Sequence, residues 1–145
     1  MPAGCGIYGV SFLEDFLGDI HPVKEYHAVY QGRDFYIYVT FEDGQGRTGT
    51  VETGIDLRKE ARAVLRGTEG YLVIPDFHRC HTAILCLNGK EAEELSIPLV
   101  VDDFSDEIRA FLSCIEEGKK ECPLMPLSES LRLQEILEEM RKIRS

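Results

Sequence analysis

Hydrophobic and polar positions divide the chain into three zones. Over residues 7–17, Ile7, Val10, Leu13 and Leu17 recur near helical spacing, and Tyr8, Phe12 and Phe16 form an adjoining stripe. Gly18 supplies the left-handed residue that commonly ends a helix. Apolar residues take up most of this helix's circumference, which predicts burial on more than one side. The second zone, residues 23–99, has strand character. Phe35, Ile37, Val39 and Phe41 alternate with Tyr36, Tyr38, Thr40 and Glu42, a two-residue period. Turn-forming residues bracket this run: Gln31-Gly32-Arg33-Asp34 before it and Asp43-Gly44-Gln45-Gly46 after it. Residues 47–55, 58–66, 71–75, 82–87 and 92–97 are further strand candidates. Thr68-Glu69-Gly70 and Asn88-Gly89-Lys90 are turns between them.

The third zone is helical again. Ile108, Phe111, Leu112 and Ile115 make one stripe closed by Gly118; Leu133, Ile136, Leu137 and Met140 make another, with Ser128 as N-cap. Residues 122–127 between them form a proline-bounded connector. The order helix, strands, helices, with short connections, predicts an α+β fold: one open, mainly antiparallel β-sheet with helices packed on one face. With 145 residues the chain is expected to form a single domain, residues 1–145.

The face of the sheet away from the helices is the informative one. Alternation puts Tyr36, Tyr38, Thr40 and Glu42 there, and Thr50, Glu52, Arg62 and Arg66 are expected to join them. Tyrosine and arginine are enriched where proteins meet. A homo-oligomer contact through Tyr36, Tyr38, Thr40 and Arg62 is the expectation, against the plainer reading of a solvated face.

Composition narrows the function. Twenty-six acidic and sixteen basic residues leave a net charge of −10, unsuited to binding nucleic acid. No apolar run reaches the roughly 20 residues a membrane span needs. Five cysteines, an odd number without a Cys-x-x-Cys pair, and no secretion signal point to reduced thiols and a cytoplasmic protein.

Three motifs invite chemistry. Gly4-Cys5-Gly6-Ile7-Tyr8-Gly9 matches the dinucleotide fingerprint, but that site needs a strand entering the turn, and only Met1, Pro2 and Ala3 precede it. His78-Arg79-Cys80-His81 is the densest group of metal-capable side chains. On a strand, His78 and Cys80 would share a face while His81 points away, and no second cluster has suitable spacing, so no metal is expected. Tyr8 could serve as a general acid, or simply be an aromatic of a buried helix.

The tail is the most specific segment. Gly118-Lys119, Pro123, Pro126-Leu127 and Glu129-Ser130, followed by Glu135 and Arg141-Lys142, resemble the C-terminal end of the Gfo/Idh/MocA oxidoreductases. The pattern is most similar to the branch containing the dimeric dihydrodiol dehydrogenases. Gly70 to Phe77, and Gly6-Ile7-Tyr8 with Phe16-Leu17-Gly18, resemble further parts of the second domain of that family.

The resemblance implies an α+β domain that pairs through an open sheet and supplies contacts to a sugar, polyol or diol. It implies NAD(P) as the cofactor of full-length relatives, held by a Rossmann domain that is absent here, so no cofactor is expected in this chain alone. It also implies a helix motif whose last residue gives or takes a proton. Tyr8 falls on that position and Gly6 on the motif's glycine, while the motif's aspartate falls on Gly4. The chain is therefore expected to be inactive alone and to work with a separate Rossmann-domain chain, or to serve as a non-catalytic dimeric module.

Overall fold

The computed structural model describes residues 3–55, 60–97, 102 and 104–143. In chain order the elements are α1 (Ala3–Leu17), β1 (Ile20–Tyr30), β2 (Arg33–Asp43), β3 (Thr48–Gly54), β4 (Arg62–Arg66), β5 (Gly70–Pro75), β6 (Thr82–Leu87), β7 (Glu93–Ser96), α2 (Ser105–Glu116) and α3 (Leu127–Ile143). The fold is α+β with open antiparallel sheets, as the patterning predicts. The single sheet resolves into two: a three-stranded sheet β1-β2-β3 and a four-stranded meander β4-β5-β6-β7. They belong to two compact units, the first built from α1, β1–β3 and α3, the second from β4–β7 and α2.

The first unit holds the larger core. Ile37, Val39 and Phe41 point inward from β2 and are 0–2% exposed, as their alternation requires. Ile20, Val10 of α1 and Leu133, Ile136 and Met140 of α3 complete the cluster. Both helices cover the same sheet face, α1 packing on β3 and α3 on β1. A side chain at Gly49 would collide with Leu13, so the absent Cβ lets α1 lie close to the strand.

The turns follow their residues. Gln31 (φ 51°) and Gly32 (φ 75°) form a two-residue hairpin loop with both residues left-handed, whose twist matches the flanking strands. Between β2 and β3, the Asp43 carboxylate accepts hydrogen bonds from the backbone N–H groups of Gln45 and Arg47, both at 2.8 Å, and pairs with Arg47 Nε at 2.5 Å. Burial pushes the Asp43 carboxyl upward, but these donors outweigh it and hold the group below the usual carboxylate range.

Two sequence expectations for the helices are corrected here. Helix α1 is not buried on more than one side: Tyr8 is 57% exposed and Phe16 47%. The stripe of Ile7, Val10, Leu13 and Leu17 packs into the core, while Phe12 and Phe16 lie against each other, ring centroids 4.8 Å apart. Helix α3 starts at Leu127, so Ser128 lies inside the first turn rather than capping it.

In the second unit, short turns join successive strands, and Gly70 sits opposite Leu87, where a Cβ would come within 2.9 Å of the Leu87 Cα. Helix α2 starts where Asp102 Oδ1 accepts hydrogen bonds from the N–H groups of Phe104 and Ser105 and from Ser105 Oγ. It ends at Gly118 (φ 66°), with Gly118 N donating to Ile115 O and Lys119 N to Cys114 O, the paired bonds of a Schellman cap. Its apolar stripe of Ile108, Phe111, Leu112 and Ile115 is at least half exposed, while Cys114 is buried. Among the described residues, no helix is long and apolar enough to cross a membrane.

Candidate functional site

The outer face of the three-stranded sheet is assembled by register. Tyr36, Tyr38, Thr40 and Glu42 alternate outward from β2, opposite Gly54, Glu52, Thr50 and Thr48 of β3. On the other side, Ala28, Tyr26 and Lys24 of β1 stand opposite Tyr36, Tyr38 and Thr40. The Tyr36 hydroxyl donates to Glu52 Oε1 at 2.9 Å, and Lys24 Nζ lies 4.9 Å from the centre of the Tyr26 ring. Tyr26, Tyr36 and Tyr38, the carboxylates of Glu42 and Glu52 and the ammonium of Lys24 therefore share one amphipathic surface. Rigid rings with polar tips suit a contact that must exist both in water and out of it.

Tyr26 and Lys24 went unrecognised in the sequence because β1 is bulged. The register slips between Pro22 and Lys24, with Val23 as the extra residue. Before the bulge, Ile20 and Pro22 are buried; after it, residues of that parity face outward, and Glu25 and His27 face the core side. Alternation read straight through the segment would place Lys24 and Tyr26 on the wrong face. The bulge also spares Pro22, which has no N–H to offer the ladder.

Arg62 and Arg66 lie on β4, in the four-stranded sheet and not in the sheet that carries Tyr36 and Tyr38. There Arg66 lies over the ring of Tyr71, 5.6 Å from its centre.

Tyr8 stands on the exposed side of α1, one residue from Ile7, which packs against the core. On the core side, the Glu25 side chain is completely enclosed, with His27 Nδ1 3.9 Å from Glu25 Oε1, and Thr53 is 8% exposed on the neighbouring strand face. This polar group inside an apolar layer had no counterpart in the sequence reading.

At the other end of the unit, Arg132 of α3 donates to Glu14 Oε1 (3.1 Å), Asp19 Oδ1 (2.5 Å) and the Ile20 carbonyl (2.9 Å). Burial raises the Glu14 carboxyl above its ordinary value, an effect Arg132 partly offsets. His21 Nδ1 lies 3.0 Å from Glu139 Oε2, and that hydrogen bond raises the imidazole above its ordinary value. These are ties between elements, remote in sequence, and they account for Arg132 without any ligand.

The remaining motifs resolve structurally. Gly4, Cys5 and Gly6 are wound inside α1, so their backbone does not form the turn that a pyrophosphate needs. His78, Arg79 and Cys80 lie in the turn between β5 and β6, not on a strand, with Asp76 (φ 46°) and Cys80 (φ 51°) left-handed. The expectation that His78 and Cys80 share a strand face is thereby replaced. Among the described residues, no three His, Cys, Asp or Glu side chains converge as a metal set.

No family model matches the chain. It is 30% identical over 150 residues to the human trans-1,2-dihydrobenzene-1,2-diol dehydrogenase, and 31% identical over the same number to the mouse enzyme. In both cases the match takes in 94% of this chain and 44% of the relative. Among solved structures, a variant of KijD10, a 3-ketoreductase from Actinomadura kijaniata crystallised with TDP-benzene and NADP, superposes with a TM-score of 0.83 at 22% identity. That match covers 95% of this chain and 45% of the ketoreductase. Aldose-aldose oxidoreductase from Caulobacter crescentus gives a TM-score of 0.74 at 18% identity, over 96% of this chain and 44% of that one. The chain is thus similar to part of the dihydrodiol dehydrogenases and shares the fold of part of these solved oxidoreductases, and it spans a little under half the length of these relatives.

Proposed function

We propose that this chain does the substrate-side and pairing work of an NAD(P)-dependent oxidoreductase acting on a sugar, polyol or diol, with the nucleotide held by residues other than its own. The observation that carries this reading is the conformation of Gly4-Cys5-Gly6. The segment that spells a dinucleotide fingerprint is helical, and all pairings within the described sheets are antiparallel, so no βαβ unit forms around it. This segment does not form the turn that a pyrophosphate needs, and no hydride step is assigned to it. Support for the substrate class comes from the relatives: a diol dehydrogenase, a 3-ketoreductase and an aldose-aldose oxidoreductase.

In this reading Tyr8 presents its phenol at the edge of the unit, where it can give a proton to, or take one from, a substrate oxygen. The outer sheet face of Tyr26, Tyr36 and Tyr38 joins two copies. A second reading, a non-catalytic dimeric module, draws on Gly4, which stands where the relatives' motif has a carboxylate.

Calorimetric titration with NADPH, together with an assay on sugars and cyclic diols, tests the proposal. No nucleotide binding and no turnover by the chain alone is the expected result; stoichiometric NADPH binding or turnover would overturn it. Co-expression with a nucleotide-binding chain separates the two readings. Activity that falls about 10²- to 10⁴-fold in Tyr8→Phe supports the catalytic one, and no activity with any such chain supports the module.

A further inference from the structure

Two thiols meet at the C-terminal end of α2. Cys114 is the buried residue of that helix, and Cys122 is half-buried in the connector that follows. The Schellman cap turns the chain back on itself at Gly118, with Lys119 N bonded to Cys114 O at 2.8 Å. That reversal brings Cys122 into side-chain hydrogen-bond contact with Cys114. Lys119 Nζ pairs with Glu117 Oε2 at 2.6 Å and interacts electrostatically with both thiols. Cys80 lies exposed in a turn and Cys86 contacts Tyr71, so among the described cysteines only Cys114 and Cys122 are placed thiol to thiol.

We propose that Cys114 and Cys122 form a redox dithiol that hydrogen peroxide converts to an intramolecular disulfide across the cap of α2. The more accessible Cys122 is the attacking sulfur. Its thiolate attacks one peroxide oxygen. The O–O bond breaks, hydroxide leaves and takes up a proton, and Cys122 becomes a sulfenic acid. Cys114 then attacks the Cys122 sulfur: an S–S bond forms, the S–O bond breaks, and the Cys114 proton leaves with the hydroxyl as water. Two thiols are oxidised and one peroxide is reduced to two waters. Burial raises the Cys114 thiol above its ordinary value, so the half-buried Cys122 is the sulfur that meets peroxide first.

The test is a peptide map of the whole chain. The protein is treated with hydrogen peroxide, blocked with iodoacetamide and digested with trypsin without reductant. Trypsin cuts after Arg109, Lys119, Lys120 and Arg132, so residues 110–119 and 121–132 separate unless a disulfide joins them. The expected product is that pair, lighter by two hydrogens than the sum of the free peptides and split by reductant. In Cys122→Ser, Cys114 is expected to stay fully alkylated; in Cys114→Ser, Cys122 is expected to be captured by dimedone as the sulfenic acid. Recovery of both cysteines alkylated in the oxidised wild-type chain, or either one linked elsewhere, would overturn the proposal. The wild-type map decides even if Cys114→Ser fails to fold.

Discussion

Gly9 of α1 lies against Val51 of β3 so closely that a Cβ on Gly9 would sit 2.7 Å from Val51 Cγ1. A glycine inside a helix ordinarily weakens it by about 1 kcal/mol relative to alanine. Here that cost is offset by the close approach of helix and strand, since Val51 is β-branched, stiff at χ1 and packed against the core. Gly9→Ala is therefore expected to destabilise by about 1–3 kcal/mol, the range for overpacking, instead of stabilising. Gly9→Ala combined with Val51→Ala should recover part of the loss. Urea denaturation of both variants checks this, and a more stable Gly9→Ala would mean that the helix stands off from the strand.

Arg132 joins three elements through side-chain contacts that differ in worth. Its bond to Asp19, a side chain 79% exposed, adds little. The bonds to Glu14, 13% exposed, and to the Ile20 carbonyl are sheltered, and hydrogen bonds to charged groups contribute roughly 1.5–3 kcal/mol. Arg132→Ala should lower unfolding free energy by about 2 kcal/mol, with Asp19→Ala changing it by less than about 0.5 kcal/mol. Equal effects from the two would place the strength of the tie at the surface.

These contacts also mark where sequence stops being legible. Local rules sufficed for Ile37, Val39 and Phe41, whose two-residue period decides which face they take, and for Gln31-Gly32, Gly18 and Gly118, whose left-handed backbones end their elements. They failed where a single residue changes the count. Val23 bulges out of β1 and reverses the faces of Lys24, Glu25 and Tyr26; the change from β3 to β4 moves Arg62 into another sheet. Apolar content likewise predicts that α1 can be buried, but not how much of its surface the chain itself covers, and Tyr8 and Phe16 lie on the uncovered side. The candidate proton carrier Tyr8 is legible through resemblance, whereas the enclosure of Glu25 beside His27 depends on the bulge in β1.

The His21–Glu139 pair gives a pH dependence of definite sign. The hydrogen bond that His21 Nδ1 donates to Glu139 raises the folded-state pKa of His21; burial and Arg132 oppose it, and Asp19, 3.7 Å away, assists. A raised histidine binds its proton more tightly when folded. Its stabilisation is complete below the unfolded value of about 6.5 and is lost as pH rises through the higher folded value. With His21 53% exposed, the effect is small. The difference in urea midpoint between the wild-type chain and His21→Gln is expected to favour the wild type near pH 5.5 and to shrink by about pH 8.5, on either side of the ~6.5 reference. A difference that grows with pH would mean that His21 is held neutral.

The pairing surface can be tested without disturbing the core that supports it. Tyr36 and Tyr38 are half-buried and point away from Ile37 and Val39, so charges placed there do not enter the apolar layer. In a dimer joined through this face, Tyr36→Glu with Tyr38→Glu adds two carboxylates per copy beside Glu52. Both copies would then confront each other with like charge in a region where water is excluded, a penalty of several kcal/mol. An interface of the standard size, about 1,600 Å² in total, does not tolerate that loss at its centre. The wild-type chain is expected to sediment as a dimer and the double variant as a monomer with the same circular dichroism. A double variant that sediments as the wild type does would move the contact to another face, and the exposed stripe of Ile108, Phe111, Leu112 and Ile115 on α2 would be the next to probe.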